Sequence, residues 1–285
     1  METDPCLSDM IEPLLGLCRG AARLIRQHYE APGADAFEAK ADDSPLTQAD
    51  LASDRHLQTG LAALTPDLPV LSEESAEEVG QRRRDWQRYW IVDPLDGTKE
   101  FLGRTGEFTI NIGLIDNHRP VLGLLYLPLD DSAFVGVPGQ LSRRFQLTKS
   151  GAWRSQVMAT RALERDRPLV LLASRRHRSD KLSRCEQWLT HNIGPVERRN
   201  SGSAIKFCQL AGGEGDVYPR FSPCCEWDTA AGQAVLEAAG GALLDLRGNP
   251  LRYNVSESLY SPDFFALADP ARTVWQELFE ASSQW

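Results

Sequence analysis

The sequence predicts a chain of two fused halves, an α+β half built on an antiparallel sheet followed by an α/β half. Three observations predict it. Two stretches with helical periodicity open the chain. The middle reads as successive β-rich runs separated by turn residues at hairpin spacing. The last third alternates short apolar runs with amphipathic helical stretches, as an α/β layer does. With 285 residues, 42% of them hydrophobic and 25% charged, the chain has the length and balance to bury a large core.

The first helix rests on Leu7, Met10, Ile11, Leu14, Leu15, Cys18, Ala21, Ala22, Ile25 and Tyr29, which recur at helical spacing. Pro13 fits its first turn, where a missing N–H costs little. Pro32-Gly33 ends it, and residues 39–46 are polar and predict a loop. Thr47 opens a second helix with Leu51, Leu57, Leu61 and Leu64 on one face, closed by Thr65-Pro66. Strands follow at 70–71, 89–92, 108–115, 121–127, 133–137 and 144–147. The polar stretch 148–165 marks a boundary, giving halves 1–155 and 156–285. Beyond it come a strand at 169–173, a helix at 180–191, a short helix at 203–210 and a short strand at 217–218. An Ala-rich helix at 229–239, strands at 242–246 and 264–268, and a helix at 272–279 complete the chain. Two halves invite a site between them.

The formal net charge of -9 argues against general affinity for nucleic acid or anionic membranes. An anionic substrate therefore needs a local positive site, from a metal or from clustered Arg and Lys. No apolar run reaches the length of a membrane span. Residues 1–9 carry Glu2, Asp4 and Asp9 and no basic residue, so no signal peptide is expected. Cys6, Cys18, Cys185, Cys208, Cys224 and Cys225 show no Cys-x-x-Cys spacing. They are expected as reduced thiols, mostly small core residues, and not as a zinc site.

The strongest local signal is Trp90-Ile-Val-Asp93-Pro-Leu-Asp96-Gly-Thr98-Lys-Glu-Phe101. An apolar strand runs into two carboxylates three residues apart. An Asp-Gly turn does not account for an acid at the end of an apolar strand; a hard divalent cation, which takes oxygen ligands, does. Three other segments bring acids: Ser72-Glu73-Glu74, Glu226-Trp227-Asp228 and Thr47-Gln-Ala-Asp50. Singly, each has a plainer meaning. The first reads as a solvated loop and the second as an acid favoured by a helix N-terminus. The third reads as a capping box. Glu226 is expected to be solvated.

Together these segments resemble the inositol monophosphatase superfamily of Mg2+-dependent phosphatases. The order Glu-Glu after an apolar run, Asp-Pro-Leu-Asp-Gly-Thr, then Trp-Asp-x-Ala-Ala-Gly carries the resemblance, which spans essentially the whole chain. Within it the chain is most similar to the CysQ-type 3'(2'),5'-bisphosphate nucleotidases, through Val70-Leu-Ser-Glu-Glu and the tract ending Lys99-Glu100-Phe101. The resemblance implies a layered αβαβα sandwich with metals at the junction of the halves, which act as one catalytic unit. It implies two or three Mg2+ held by Glu73, Asp93, Asp96, Asp228 and the Leu95 carbonyl. Spacing leaves Glu73 and Glu74 open as the ligand; the family pattern favours Glu73. Thr98 and Asp50 would hold the attacking water, and the Gly97 and Thr98 amides would meet the phosphate. Ser203 and Lys206 (Ser-x-x-Lys), Arg220 (Tyr-Pro-Arg) and His177 (Ser-Arg-x-His) would contact the nucleotide.

The implied substrate is adenosine 3',5'-bisphosphate, with 3'-phosphoadenylyl sulfate as a second one. The implied setting is cytoplasmic, with attachment to the cytoplasmic face of the inner membrane left open, as monomer or homodimer. The alternatives are an inositol-phosphate or sugar-bisphosphate phosphatase and, from another class, a regulatory protein of this fold working through RNA.

Overall fold

Alternating side chains along single strands show where the layers lie. In the strand Arg88–Asp96, Trp90 and Val92 face one core while Tyr89 and Ile91 face another. In Phe264–Leu267, Phe264 and Ala266 face this second core while Phe265 and Leu267 face a third. Period-2 alternation with both faces apolar means a sheet covered on both sides. The chain has two such sheets. The computed structural model describes residues 6–31, 37–39, 45–164, 166–176 and 179–285.

In order, the elements are α1 (Ile11–Glu30), β1 (Glu38–Ala39), β2 (Pro45–Leu46), α2 (Gln48–Leu64), β3 (Val70–Ser72), α3 (Ala76–Val79) and β4 (Arg88–Asp96). Then come α4 (Thr98–Leu102), β5 (Thr109–Asp116), β6 (Arg119–Leu127), β7 (Ser132–Val137), β8 (Leu141–Leu147) and β9 (Trp153–Val157). The second part has β10 (Leu169–Ser174), α5 (Asp180–Asn192), β11 (Val196–Ser201), α6 (Ile205–Ala211) and β12 (Val217–Arg220). It ends with α7 (Glu226–Ala238), β13 (Ala242–Asp245), β14 (Phe264–Leu267) and α8 (Val274–Ser282).

The first sheet runs β3-β4-β5-β6-β7-β8-β9, with β3 parallel to β4 and the rest an antiparallel meander. The second runs β11-β10-β12-β14-β13, parallel across β11-β10-β12 and antiparallel beyond. α1 and α2 cover the outer face of the first sheet, α6 and α7 lie between the sheets, and α5 and α8 cover the second. The architecture is the layered αβαβα sandwich.

One device brings α7 close to the first sheet. Gly113, Gly123 and Gly136 lie in register across β5, β6 and β7. A methyl group on Gly123 would sit 2.2 Å from the Ala231 carbonyl oxygen, and one on Gly136 would sit 2.5 Å from the Val235 Cα. The glycine stripe and the Ala-rich face of α7 are complementary, and their contact fixes where the first turn of α7 lies over the sheet.

Three expectations change. Residues 39–46 are not all loop, because Ala39 in β1 and Pro45 and Leu46 in β2 take part in an antiparallel pair. β9 and β11 had no counterpart in the pattern. Both are edge strands, and their polar sequences, Trp-Arg-Ser-Gln-Val and Val-Glu-Arg-Arg-Asn-Ser, lack the apolar alternation that a buried strand needs. The segment after Glu73 coils into a 3-10 turn, α3 and a second 3-10 stretch, too short to show periodicity. The Pro32-Gly33 helix stop lies outside the described residues. Among the described residues no helix is long and apolar enough to cross a membrane. All six cysteines are thiols, four of them buried.

Candidate active site

The acids of the opening tract meet because β4 is bulged. Asp93 pairs with Asn111 and Asp96 with Thr109, so β4 spends one residue more than β5 over the same interval. Residues three apart on a regular strand point to opposite faces; one extra residue returns them to the same side. Pro94, which has no N–H to give to the ladder, lies inside the bulge. Gly97 then turns the chain with φ 96°, and α4 begins at once at Thr98.

The third acid comes from the other half. Asp228 lies in the first turn of α7, where its Oδ2 accepts the Cys225 N–H at 2.9 Å and the Cys224 thiol at 3.3 Å. Carboxylate oxygens of Asp93, Asp96 and Asp228 lie within 4.8 Å of one another. Their hydrogen bonds come from neutral groups. Asp93 accepts the Leu95 N–H at 3.0 Å; Asp96 accepts the Ala204 N–H at 2.6 Å and the Asn111 amide at 3.3 Å. Burial, and then the charges of Glu73, Asp96 and Asp228, push the Asp93 carboxyl well above the usual carboxylate range. Burial, and then Asp228, push Asp96 up to about 6, against the pull of Lys206. An all-oxygen donor set that raises its own members in this way fits a hard divalent cation, which would relieve the repulsion. Glu73 starts its 3-10 turn at the rim and lines the same cleft as Asp93, Leu95, Asp96, Thr98 and Asp228.

One face of α2 supports this end. Asp50 completes the capping box with Thr47, accepting the Thr47 N–H at 2.8 Å. Its other oxygen lies 3.1 Å from the Thr98 hydroxyl, which is also 3.3 Å from the Leu95 carbonyl. Asp50 is thus both cap and site residue. Ser53 donates to the Pro94 carbonyl at 2.8 Å. Asp54 accepts from Ser72, next to Glu73, at 2.5 Å and from Gln58 at 2.8 Å. Ser53, Asp54 and Asn111 are site-supporting residues that the sequence pattern did not single out. A signal was present: polar residues one helical turn from Asp50, and an Asn inside the apolar run of β5.

The cleft, about 470 Å³ at the acid end, continues into a narrower pocket lined by Ser203, Lys206, Arg220 and Arg176. Asp96, Gly97, Lys99, Glu100, Cys224 and Asp228 line both parts. Lys206 is fully buried; its ammonium donates to the carbonyls of Ser201 at 3.0 Å and Ser203 at 2.6 Å and lies 5.1 Å from the Tyr218 ring centre. Burial pulls its pKa down to about 8, against the charge of Asp96. Ser203, at φ 48°, shares a 2.8 Å hydrogen bond with Thr109. Arg220 donates to the Ser222 and Pro223 carbonyls. Arg176 pairs with Glu100 at 2.9 Å and also holds the Lys99 carbonyl. His177 lies outside the described residues.

Glu226 corrects an expectation. It is buried, not solvated, with both carboxylate oxygens on the Asn254 N–H at 3.0 and 2.9 Å, and burial pushes its pKa up to about 7. It opens an amphipathic-looking helix start, and only the loop around Asn254, distant in sequence, closes over it.

Comparison with known proteins agrees with this geometry. Residues 7–279 match the inositol monophosphatase family. The 3'(2'),5'-bisphosphate nucleotidase CysQ of Salmonella typhimurium is 42% identical over 259 residues, 90% of this chain and 98% of that protein. That of Escherichia coli K12 is 41% identical over 257 residues, with the same coverage. The crystal structure of CysQ from Bacteroides thetaiotaomicron superposes with a TM-score of 0.75 at 37% identity, covering 91% of this chain and 97% of that one. An inositol monophosphatase from Zymomonas mobilis shares the fold at 24% identity and a TM-score of 0.74, covering 99% of this chain and all of that one. The family is metal-dependent, in keeping with the acid cluster, and this chain belongs to it: it is a member of the inositol monophosphatase family.

Proposed function

We propose that this protein is a Mg2+-dependent phosphomonoesterase that removes the 3'-phosphate of adenosine 3',5'-bisphosphate and leaves adenosine 5'-monophosphate. 3'-Phosphoadenylyl sulfate is its second substrate. The observation that carries this reading is the near full-length match, at 41 to 42% identity, to proteins named 3'(2'),5'-bisphosphate nucleotidase. A cleft with an acid end and a cationic end supports it, since a bisphosphate needs cations at two places.

Glu73, Asp93, Asp96, Asp228 and the Leu95 carbonyl would hold two or three Mg2+. Bound there, Mg2+ supplies positive charge for the phosphate oxygens and makes a nearby water more acidic. Thr98 orients that water. When its hydroxyl donates to Asp50, 3.1 Å away, its lone pairs accept a hydrogen from the water and aim the oxygen at phosphorus. The water oxygen bonds to phosphorus as the bond to the 3' oxygen breaks. The Gly97 and Thr98 amides meet the phosphate. Ser203, Lys206, Arg220 and His177 position the nucleotide, with Arg220 on the second phosphate. Residues 1–155 supply the acids Glu73, Asp93 and Asp96, and residues 156–285 supply Asp228 and the nucleotide contacts, so the halves work as one catalytic unit.

A substrate panel with Mg2+ tests the proposal. Phosphate release from adenosine 3',5'-bisphosphate is expected to exceed that from inositol 1-phosphate and fructose 1,6-bisphosphate by orders of magnitude in kcat/KM. A preference for inositol 1-phosphate would sink the nucleotidase reading and leave the family intact.

A further inference from the structure

We infer that a buried tie, Arg83–Asn254–Glu226, is a positioning device that holds the two chain segments carrying Glu73 and Asp228 at the spacing a metal needs. The inference rests on the reading of those acids as metal ligands. Arg83 lies in the last 3-10 stretch, Gly80–Asp85, of the run of short helical turns that starts at Glu73. Its guanidinium donates to the Asn254 side-chain oxygen at 2.5 Å and to the Ser256 and Glu257 carbonyls at 3.1 and 2.5 Å. Asn254 answers with its amide group on the Arg83 carbonyl at 2.6 Å. Its own main-chain N–H is shared by the two carboxylate oxygens of Glu226, the first residue of α7 and two before Asp228. The same loop grips α7 by its backbone: Glu226 N–H donates to the Leu259 carbonyl at 2.8 Å, and Ser261 N–H to the Cys224 carbonyl at 2.7 Å.

Two features separate this tie from ordinary packing. All three side chains are at most 3% exposed, and burying an Arg and a Glu carries a desolvation cost that an apolar filling would not. None of the three lines the described cleft, so they act through other residues. Glu73 and Asp228 come from segments far apart in sequence, and both charges oppose that of Asp93. Ligands that repel one another stay in place only if their supports are rigid.

The test is direct binding of Mn2+, counted by the paramagnetic resonance of the unbound ion, to the full-length protein. Arg83→Gln and Asn254→Gly are compared with the wild type; glycine keeps the positive φ of 58° at position 254. Each variant is expected to bind Mn2+ roughly 10- to 100-fold more weakly, as outer-shell substitutions do. The double variant is expected to be no weaker than the worse single one, because both cut one tie. Arg83→Lys keeps a cation but loses the fork, and reads the same effect at smaller size if Arg83→Gln does not fold. Folded variants with a lowered thermal midpoint but wild-type Mn2+ affinity would overturn the inference alone. A wild type that binds no Mn2+ would overturn both the inference and the metal reading beneath it.

Discussion

Two groups of acids in this chain sit in opposite surroundings. Asp216 is 2% exposed and held by the forks of Arg161, at 2.9 and 2.6 Å, and Arg167, at 3.1 and 3.0 Å, and by the Val170 N–H at 2.6 Å. Those partners outweigh burial and hold its carboxyl below the usual range. Asp93, Asp96 and Asp228 face one another instead, with amides and a thiol as donors, and Asp93 and Asp96 are pushed up. The first set is closed and serves the fold. The second is electrostatically incomplete, and what completes it comes from outside. Uncompensated charge, more than burial or charge itself, separates a binding site from a structural one.

The largest break in this comparison is Asp96→Asn. It removes a proposed metal ligand from the open set, and kcat/KM is expected to fall roughly 10³-fold. The metal-free variant is expected to unfold no earlier than the wild type at a pH of about 7.5. A carboxyl whose folded pKa is raised weakens the fold above that pKa, so neutralising it relieves repulsion. Activity assays and calorimetry check the two halves of this statement.

Asp216→Ala is the mirror image. Leaving two arginines without their carboxylate is expected to cost about 3–5 kcal/mol of stability, seen in urea denaturation. Turnover of the folded fraction is expected to stay within about twofold of the wild type, since residues far from a site leave its chemistry alone.

Mg2+ sharpens the contrast further. At a hundredfold excess over its dissociation constant it is expected to stabilise the wild type by about 2.7 kcal/mol, a shift of several degrees in thermal midpoint. The Asp96→Asn protein is expected to shift far less, and Asp216→Asn as much as the wild type.

The smallest effect is the acid limb. The folded pKa of Asp216 lies below its unfolded value, so its contribution is present above the ordinary carboxylate range and is lost as pH falls through the folded pKa. The stability gap between wild type and Asp216→Asn is therefore expected to close below about pH 4. A gap that stays constant down to about pH 2 would contradict the pairing described.

The open set was legible in the sequence because it is mostly local. Asp93, Asp96, Gly97 and Thr98 sit in one tract, and an apolar strand that ends in two acids points to a cation. The bulge that makes Asp93 and Asp96 face the same way was not read from the sequence, although Pro94 inside it was an available signal. The capping box at Thr47 was legible from spacing alone, whereas the pairing of Asp50 with Thr98 came only from the family resemblance, because that contact joins residues 48 apart in sequence. Glu226 was misread for the same reason: its burial depends on Asn254, which no periodicity in α7 reveals. β9 and β11 were missed because an edge strand can be polar on both faces. The glycines of β5, β6 and β7 gave no signal singly; only the register shows them as one stripe receiving α7.

The proposed activity has Mg2+ complete the open acid set, which then removes a 3'-phosphate. It is tested most directly by stripping the protein with a chelator, adding adenosine 3',5'-bisphosphate, and following phosphate release and the nucleotide product before and after Mg2+ is returned. The expected result is no release without metal, and release with Mg2+ whose only nucleotide product is adenosine 5'-monophosphate. Release that persists in the stripped protein, or a product that has lost its 5'-phosphate, would contradict it.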